Sequence, residues 1–490
     1  METFDVIVIG AGHNGLAAAA ALGARGKRVC VLERSAGVGG MADGRLAHLV
    51  YNLSEAERRR LGVHLSEVDT VSLARDGRHV AIRGGSAAYA DGGAHPDAAA
   101  YAALHARLVR FAGVLAHLAE APPPGFEGGL TSLEGLREIA RLGKVGLGLK
   151  RLGKAEMREF LRVVLSNAFD TVLDEIGDGP LAGALTADAV RGAWAGPRSP
   201  GTVFSLMYRL GQGGRVFRAE GSMGAVAAAY AEKARAAGCD IRVGVPVARV
   251  VVEDDRAVGV ELEGGVRIAA QAVLSSAGPL QTMLLAGVAH FDVEAARRAR
   301  GMRAKGSAAK VNFALSGRPL FTGLSEAQHG ARLVVAPSAA AVEQSFNPAK
   351  YGELPKAPVL EMVLEDGRLS VIATHVPYEG WTDARRAALG ALVAETVEAY
   401  APGFASLVTG TEVLTPADIA AMTGAPGGHW HHAEMGLDQV LTLRPIAGNA
   451  RYRLAVGGLY LCGASAHPGG DVTGLPGRNA AGQVLADGVL

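Results

Sequence analysis

The feature that most restricts this chain is the run from Asp5 to Gly40. Val6-Ile7-Val8-Ile9 is a β-branched stretch of the kind that forms a buried parallel strand. Gly10-Ala11-Gly12-His13-Asn14-Gly15 follows at once, and Leu16 to Ala24 reads as an alanine-rich helix. A second strand, Arg28-Val29-Cys30-Val31-Leu32, ends on Glu33. Strand, GxGxxG, helix, strand and acid in that order form the dinucleotide fingerprint in its confirming context. Gly10 allows the tight turn, Gly12 lets a pyrophosphate approach the backbone, and Gly15 lets the helix pack close to the strand. His13 and Asn14 are placed at the cofactor in the same turn, and the helix N-terminus faces the negative charge. Glu33, eighteen residues past Gly15, is placed to accept hydrogen bonds from ribose hydroxyls. A glycine-rich turn without a ligand is the alternative, and the flanking strands and terminal acid count against it.

The next residues bear on which dinucleotide is bound. A nicotinamide dehydrogenase would continue into another strand–helix unit, whereas Met41 to Tyr51 has no such pattern. Glu33-Arg34 is followed instead by a second close-approach pair, Gly39-Gly40. This Glu-Arg-x4-Gly-Gly arrangement resembles that of FAD-binding two-dinucleotide-fold flavoproteins. FAD is therefore expected over NAD, with Arg34, Gly39, Gly40 and Met41 beside it.

At 490 residues the chain is too long for one simple core, and two domains are expected. Apolar residues at 49% and charged ones at 20% describe a globular protein. A formal net charge of +1 gives no general attraction to nucleic acid, and 5% aromatics leave few platforms for stacking bases. Cys30, Cys239 and Cys462 each sit in or beside an apolar run and no CxxC occurs, so they read as buried residues of a reducing compartment rather than a redox dithiol or zinc knuckle. With the first strand this close to Met1 and no apolar run of membrane-spanning length, a cytoplasmic protein is expected.

Along the chain, Leu46, Leu49 and Leu53 have near-helical spacing, and Val68 to Ile82 reads as two short strands turning at Asp76-Gly77. Ala98 to Ala119 is a helix closed by Pro122-Pro123-Pro124, and Leu133 to Leu173 is mostly helical. Gly221-Ser222-Met223-Gly224 opens a helix, Ala225 to Ala237, followed by short strands, among which Val247 is placed beside the adenine or its ribose. Lys310 to Leu315, Leu333 to Ala336, Val359 to Leu364 and Leu369 to His375 alternate as a second sheet would, and Thr382 to Tyr400 is a helix.

The second strong signal is the closing segment. Leu459-Tyr460-Leu461-Cys462 is a strand, and Gly463 to Gly474 is a loop of small residues containing Gly470-Asp471-Val472. Such a loop lets backbone amides reach a flat ring, and a helix starting near Leu475 would aim its positive end at the flavin N1–C2=O edge.

With both ends in view, the sequence resembles the phytoene dehydrogenase-related family of FAD-dependent oxidoreductases, in the branch opening Gly-Ala-Gly-His-Asn-Gly-Leu (Gly10 to Leu16). Further matching stretches are Ala47 to Leu53, Ser199-Pro200-Gly201-Thr202, Gly221 to Gly224, Asp438-Gln439 and Arg444-Pro445. The resemblance implies an α/β architecture: a Rossmann-type FAD-binding domain (1–85, 214–290 and 445–490) interrupted by a mixed sheet-and-helix substrate domain (86–213 and 291–444). Gly463, Gly470, Asp471 and Val472 would then lie at the flavin. Asp471 departs from the glycine expected there and places a carboxylate near the ring.

Hydride acceptance at a flavin needs a substrate C–H bond held close to the ring with water excluded. Lys310 is at a strand start that resembles the place where amine oxidases bridge a lysine through water to the flavin, or reads as an edge-strand lysine. His432 matches the family's histidine before the Asp-Gln segment. His429 and His431 read with it as a substrate-channel loop, since their spacing makes a poor zinc set; no metal is expected. Arg444 could contact a flavin or substrate oxygen, or be a surface pair. The leading expectation is an FAD-dependent oxidoreductase that desaturates or isomerises a hydrophobic small molecule such as a polyene or lipid. Oxygen or a quinone would be the electron acceptor, since only one dinucleotide fingerprint occurs. Amine or amino-acid oxidation is the alternative, and a flavin-bearing interaction protein with little turnover is another. The basic stretch with Arg137, Arg141, Lys144, Lys150, Arg151 and Lys154 reads either as the solvated face of a helix or as a peripheral membrane contact through 137–154. On the membrane reading, anionic liposomes co-sediment the protein and reversal of these six charges abolishes it; no co-sedimentation at any salt concentration rejects it.

Overall fold

The computed structural model describes residues 1–119, 121–123 and 133–490. Its mixed α/β fold is built on two large sheets. In the first, parallel strands Glu2–Ile9, Val29–Leu32 and Asp240–Arg242 continue through Arg267–Ser275. Beyond Arg267–Ser275 lie Arg256–Leu262 and Val247–Glu253, antiparallel, and the closing strand Leu459–Leu461, parallel at Val273 to Ser275. Val6, Ile7 and Val8 are fully buried, as a parallel strand covered on both faces requires. Helices His13–Gly23, Met223–Ala236 and Leu475–Ala486 pack on this sheet, their buried faces built largely from alanine.

The second sheet has eight strands in the order Val408–Leu414, Ala308–Leu315, Arg368–Thr374, Val359–Glu365, Arg332–Val335, Thr70–Ser72, Val80–Arg83 and Ser86–Tyr89. Thr70–Ser72 pairs in parallel with Arg332–Val335, so the strands around the Asp76-Gly77 turn join this sheet although they fall within segment 1–85. A small third sheet pairs Val50–Tyr51 and Leu65–Val68 with Val216–Ala219. It corrects the helical spacing expected for Leu46, Leu49 and Leu53. That stretch is extended because Val50 pairs with Phe217; alternation sends Leu49 and Tyr51 into one core and Val50 into another, and the turn at Asn52 (φ +54°) brings Leu53 into the core of Val50. The helix begins only at Glu55, where the Ser54 side chain accepts from Glu57 N at 3.2 Å.

Ala98–Ala119 is helical as expected; Pro124, the last of the closing prolines, lies outside the described residues. Leu133–Val164 is helical with a break at Gly153 (φ +80°). Lys150, Arg151 and Lys154 are exposed on it, whereas the side chains of Arg137, Arg141 and Lys144 lie outside the described set. No helix among the described residues is long and apolar enough to cross a membrane. The three cysteines are free and buried, and burial pushes the Cys30 thiol up to about 12 and that of Cys239 to about 11, which keeps them inert.

The chain ends meet through glycine. A Cβ on Gly15 would stand 2.1 Å from Gly10 O, so the fingerprint helix packs on the end of its own strand; one on Gly477 would stand 1.9 Å from Asn14 O, so the fingerprint helix and the closing helix touch backbone to backbone. Gly477→Ala is therefore expected to lower stability by about 1–3 kcal/mol. Gly482→Ala, in the same helix but facing open space, should be neutral or stabilising by up to about 1 kcal/mol. Urea unfolding of the two variants checks this, and equal midpoints would refute the contact.

Candidate flavin and substrate site

Two helix starts converge where the ends of the chain meet. Gly12 precedes the first helix and Gly474 (φ +65°) the closing one; neither glycine offers a side chain to cap its helix, although Leu475 N–H donates to Thr473 Oγ1 at 3.3 Å. His13 Nε2 donates to Asp471 O at 3.1 Å, joining the two directly. Burial pulls the His13 imidazole down to about 4, so it is neutral at pH 7 and the backbone amides supply the positive potential. Gly12 has open space where a Cβ would be. Gly39 (φ +126°) forms a bridge to Gly12, and a Cβ on Gly40 would lie 3.4 Å from Gly12 Cα, so the second glycine pair closes over the first. Glu33 accepts from Ala11 N at 2.7 Å and Ser35 N at 2.9 Å. A carboxylate with two oxygens retains acceptor capacity for ribose hydroxyls.

Not every residue expected at the dinucleotide faces it. Arg34 reaches away to Ala421 O at 2.9 Å. Met41 packs against Leu46, Leu414 and Ile419. Val247 begins its strand just after Val245, whose N–H donates to Glu33 O at 2.8 Å. Gly463 lies against Ser276 O, 2.1 Å from a built Cβ. Val472 is partly buried against the first core.

A glycine at 470 is compulsory, because its Cβ would fall 1.6 Å from His431 Nδ1. Asp471 adopts φ +62°, the left-handed conformation that glycine would adopt freely and that aspartate tolerates. Its amide donates to His431 Nδ1 at 3.3 Å, and its Oδ2 accepts from Asn52 Nδ2 at 2.7 Å. Tyr208 donates to Gly470 O at 2.8 Å. His429 receives the amide of His431 at 3.2 Å and stands 3.4 Å from Glu434 Oε2. His432 is held at φ +58° with Nδ1 buried and unbonded, and burial takes it down to about 3, with His13 and His429 nearby adding to the effect. Among the described residues no three His, Cys, Asp or Glu are grouped to hold a metal.

Arg444 is no surface pair. It is 0% exposed and donates to His431 O (2.9 Å), Ala464 O (2.7 Å) and Glu434 O (3.2 Å), which clamps the histidine loop onto the closing segment. Burial lowers it to about 10 without neutralising it.

Lys310 lies inside its strand, paired on both sides rather than at the sheet's edge, and is 2% exposed. Its Nζ donates to His48 Nδ1 at 2.9 Å, and His48 Nε2 donates to Glu361 at 3.0 Å. The charge network beyond His48 was not expected from the sequence. Glu361 also takes the side-on fork of Arg191 (3.0 and 2.8 Å) and Arg332 Nε (2.8 Å); Arg332 reaches Asp188 (3.2 Å), and Asp188 lies 3.5 Å from Arg209. The Tyr51 ring sits under Arg209, Arg191 and Arg332, 3.4, 4.4 and 5.8 Å from its centroid. Burial works to raise the Glu361 carboxyl, but Arg191 and Arg332 outweigh it and hold the group well below the usual carboxylate range. The available signal was a charged residue inside an apolar strand, Glu361 between Leu360 and Met362 and Arg332 before Leu333. Arg191 and Arg209 then line a cavity of about 40 Å³ with Tyr208, His429, His431 and Asp471, joining this network to the closing loop. Lys310 stays behind it, separated from Glu361 by the His48 ring.

The sequence profile of the family described as FAD dependent oxidoreductase (DAO) matches residues 5–447. The chain belongs to the FAD-dependent oxidoreductase family. Its cofactor is FAD, and the site fits the group: two helix starts on glycine N-caps, the Glu33 acceptor, and the buried, unbonded Asn14 Oδ1 and Ser465 Oγ lie where the two ends meet. The oxidoreductase is 30% identical over 547 residues to pyridine nucleotide-disulfide oxidoreductase domain-containing protein 2 of Rattus norvegicus, covering 99% of this chain and 94% of that one. It is 27% identical to hydroxyneurosporene desaturase of Rhodobacter capsulatus over 312 residues, 59% of this chain and 58% of that one. In fold it is similar to a cofactor-redesign variant of putrescine oxidase (TM-score 0.61, 16% identity, 99% and 98% coverage). Cyclohexylamine oxidase from Brevibacterium oxydans gives TM-score 0.56 at 16% identity and the same coverage.

Burial lowers the Lys310 amine from 10.5 to about 7. Between those values the unfolded chain holds a proton that the folded one lacks, so this group makes stability rise with pH, by up to about 1.4 kcal/mol per unit. Below pH 7 both states are protonated and the cost of burying the charge is fully present. Lys310→Met should therefore be more stable than the parent at pH 7 and should lose most of the parent's gain between pH 7 and 10. Urea midpoints across that range check it; parallel curves would reject it.

Proposed function

We propose that this FAD-dependent oxidoreductase removes hydride from a hydrophobic small molecule of the polyene or lipid class, by desaturation or flavin-assisted isomerisation. The observation that carries this is a cavity of about 380 Å³ against the closing segment, lined by Ala112, Leu115, Ala116, Phe204, Met207, Val440 and Leu475. That volume falls in the range of small-molecule sites. Its polar lining includes Asn52, which donates to Asp471, and Tyr208, which donates to Gly470 O. The likeness to hydroxyneurosporene desaturase supports the same reading.

Bound FAD supplies a two-electron acceptor for the hydride. The chain's own part is positioning. The apolar wall excludes water and holds the reacting carbon, and the helix Thr202–Arg209 fixes Tyr208 against Gly470. The histidine loop stays neutral, since burial drives His431 and His432 well below pH 7, so it adds no cation against a developing carbocation. Along a conjugated chain that charge is delocalised, and little acid–base help is required. Oxygen or a quinone serves as the final acceptor. Amine or amino-acid oxidation is the second reading, favoured by Asp471 and Glu434, two carboxylates at the small cavity that could hold an ammonium.

Anaerobic addition of the right polyene or lipid should bleach the flavin absorbance. Ala116→Phe, which narrows the apolar cavity, should slow the bleaching at least about tenfold with flavin content unchanged. Bleaching by amines alone, with hydrogen peroxide release in air, would replace this reading by the second. No bleaching by any of them would leave a flavin-bearing interaction protein.

A further inference from the structure

The charge network at the small cavity is a ladder with an odd number of members. Arg209, Asp188, Arg332, Glu361 and Arg191 alternate in sign, and the guanidiniums at both ends line the same cavity. Arg191 commits its side-on fork to Glu361. The same fork on Arg209, Nε and Nη2, makes no hydrogen bond, although the residue is only 8% exposed. Asp188 at 3.5 Å is beyond bonding distance of that Nε.

Two further carboxylates face the cavity, and both are engaged. Asp471 takes the Asn52 amide at 2.7 Å, and Glu434 takes Trp194 N–H at 2.9 Å with His429 3.4 Å away. What remains unfilled on Arg209 is a flat pair of donors. The group that fills such a pair is a carboxylate, which offers only acceptors and binds a guanidinium fork bidentately. The fork is also held in place beforehand, because the guanidinium stacks on Tyr51 at 3.4 Å.

The placement of Arg209 relative to the apolar cavity adds an independent reason. The helix Thr202–Arg209 turns Phe204, Met207 and Tyr208 toward the 380 Å³ cavity and Ser205, Tyr208 and Arg209 toward the small one. Tyr208 is common to both, so one helix carries the apolar wall and the cation side by side. We propose that the substrate is an amphipathic carboxylic acid, its chain in the apolar cavity and its carboxylate on the side-on fork of Arg209. The inference rests on the apolar cavity being the substrate site.

The test titrates the holoenzyme with dodecanoate, dodecanol and dodecylamine, read by the flavin difference spectrum and by quenching of tryptophan fluorescence. Trp430 is a built-in reporter, its ring lying 4.8 Å from the Arg191 guanidinium. Dodecanoate should bind at least about tenfold more tightly than dodecanol. Arg209→Gln should bring the acid down to the alcohol's level and leave the alcohol unchanged, which separates recognition from a damaged fold. Arg209→Lys, which keeps the charge without the fork, should recover only part of the preference. Ala116→Phe should weaken acid and alcohol together. Equal binding of acid and alcohol, or a preference for the amine, overturns the carboxylate assignment while leaving the apolar reading in place. Failure of all three to bind overturns the apolar reading and this inference with it.

Discussion

The close approach of two helix starts, allowed by Gly477, is the constraint on which the rest of the molecule depends. Helices that start on a glycine N-cap carry partial positive charge at their first amides, and converging two of them is favourable only if something negative completes them. The contact also fixes the closing loop. Once Asp471 O is bonded to His13, the carboxylate of Asp471 can reach Asn52, and its amide can reach His431. Parts of the chain hundreds of residues apart are thereby registered to one another at the site.

The second constraint is electrostatic. Placing Glu361, Arg332 and Lys310 inside a sheet removes them from water, which is costly unless opposite charges stand close. The ladder meets that condition for the carboxylates and for Arg332. Lys310 is left with neutral His48 as its bonded partner, and its amine is lowered for that reason. A hydrophobic replacement of the ladder could pack the same space with less loss of solvation, so stability alone does not account for it. Its two ends at the cavity wall do, since they place fixed guanidiniums beside the closing loop.

Much of the fold was legible where local chemistry and tertiary structure agree. Val6 to Glu33 can do little else, because β-branched run, glycines and acid each have one role, and the closing strand and helix lie where their pattern placed them. Leu46 to Leu53 was not legible, since its leucine spacing suits a helix and only pairing with Phe217 makes it extended. Of the site residues, Asp471 was visible as an oddity and Arg444 as a residue beside proline, but neither's partners could be foreseen. Arg444 bonds three backbone carbonyls, and carbonyls leave no trace in side-chain identity. Arg191, Arg209 and Asp188 gave no signal, because each sits in an ordinary helical or loop context and acquires meaning only from Glu361 and Tyr51.

The sequence by itself determined the dinucleotide fold, the choice of a flavin-type closing loop and the apolar strands that build both sheets, because these come from spacings of a few residues and from backbone freedom at particular glycines. Only the tertiary structure decided which charges are buried together, that Lys310 faces His48, and that one helix carries an apolar wall and a cation side by side. Those depend on strand register and helix rotation across the whole chain, where a displacement of one residue would turn a strand side chain to the opposite face and swing a helical one by about 100°.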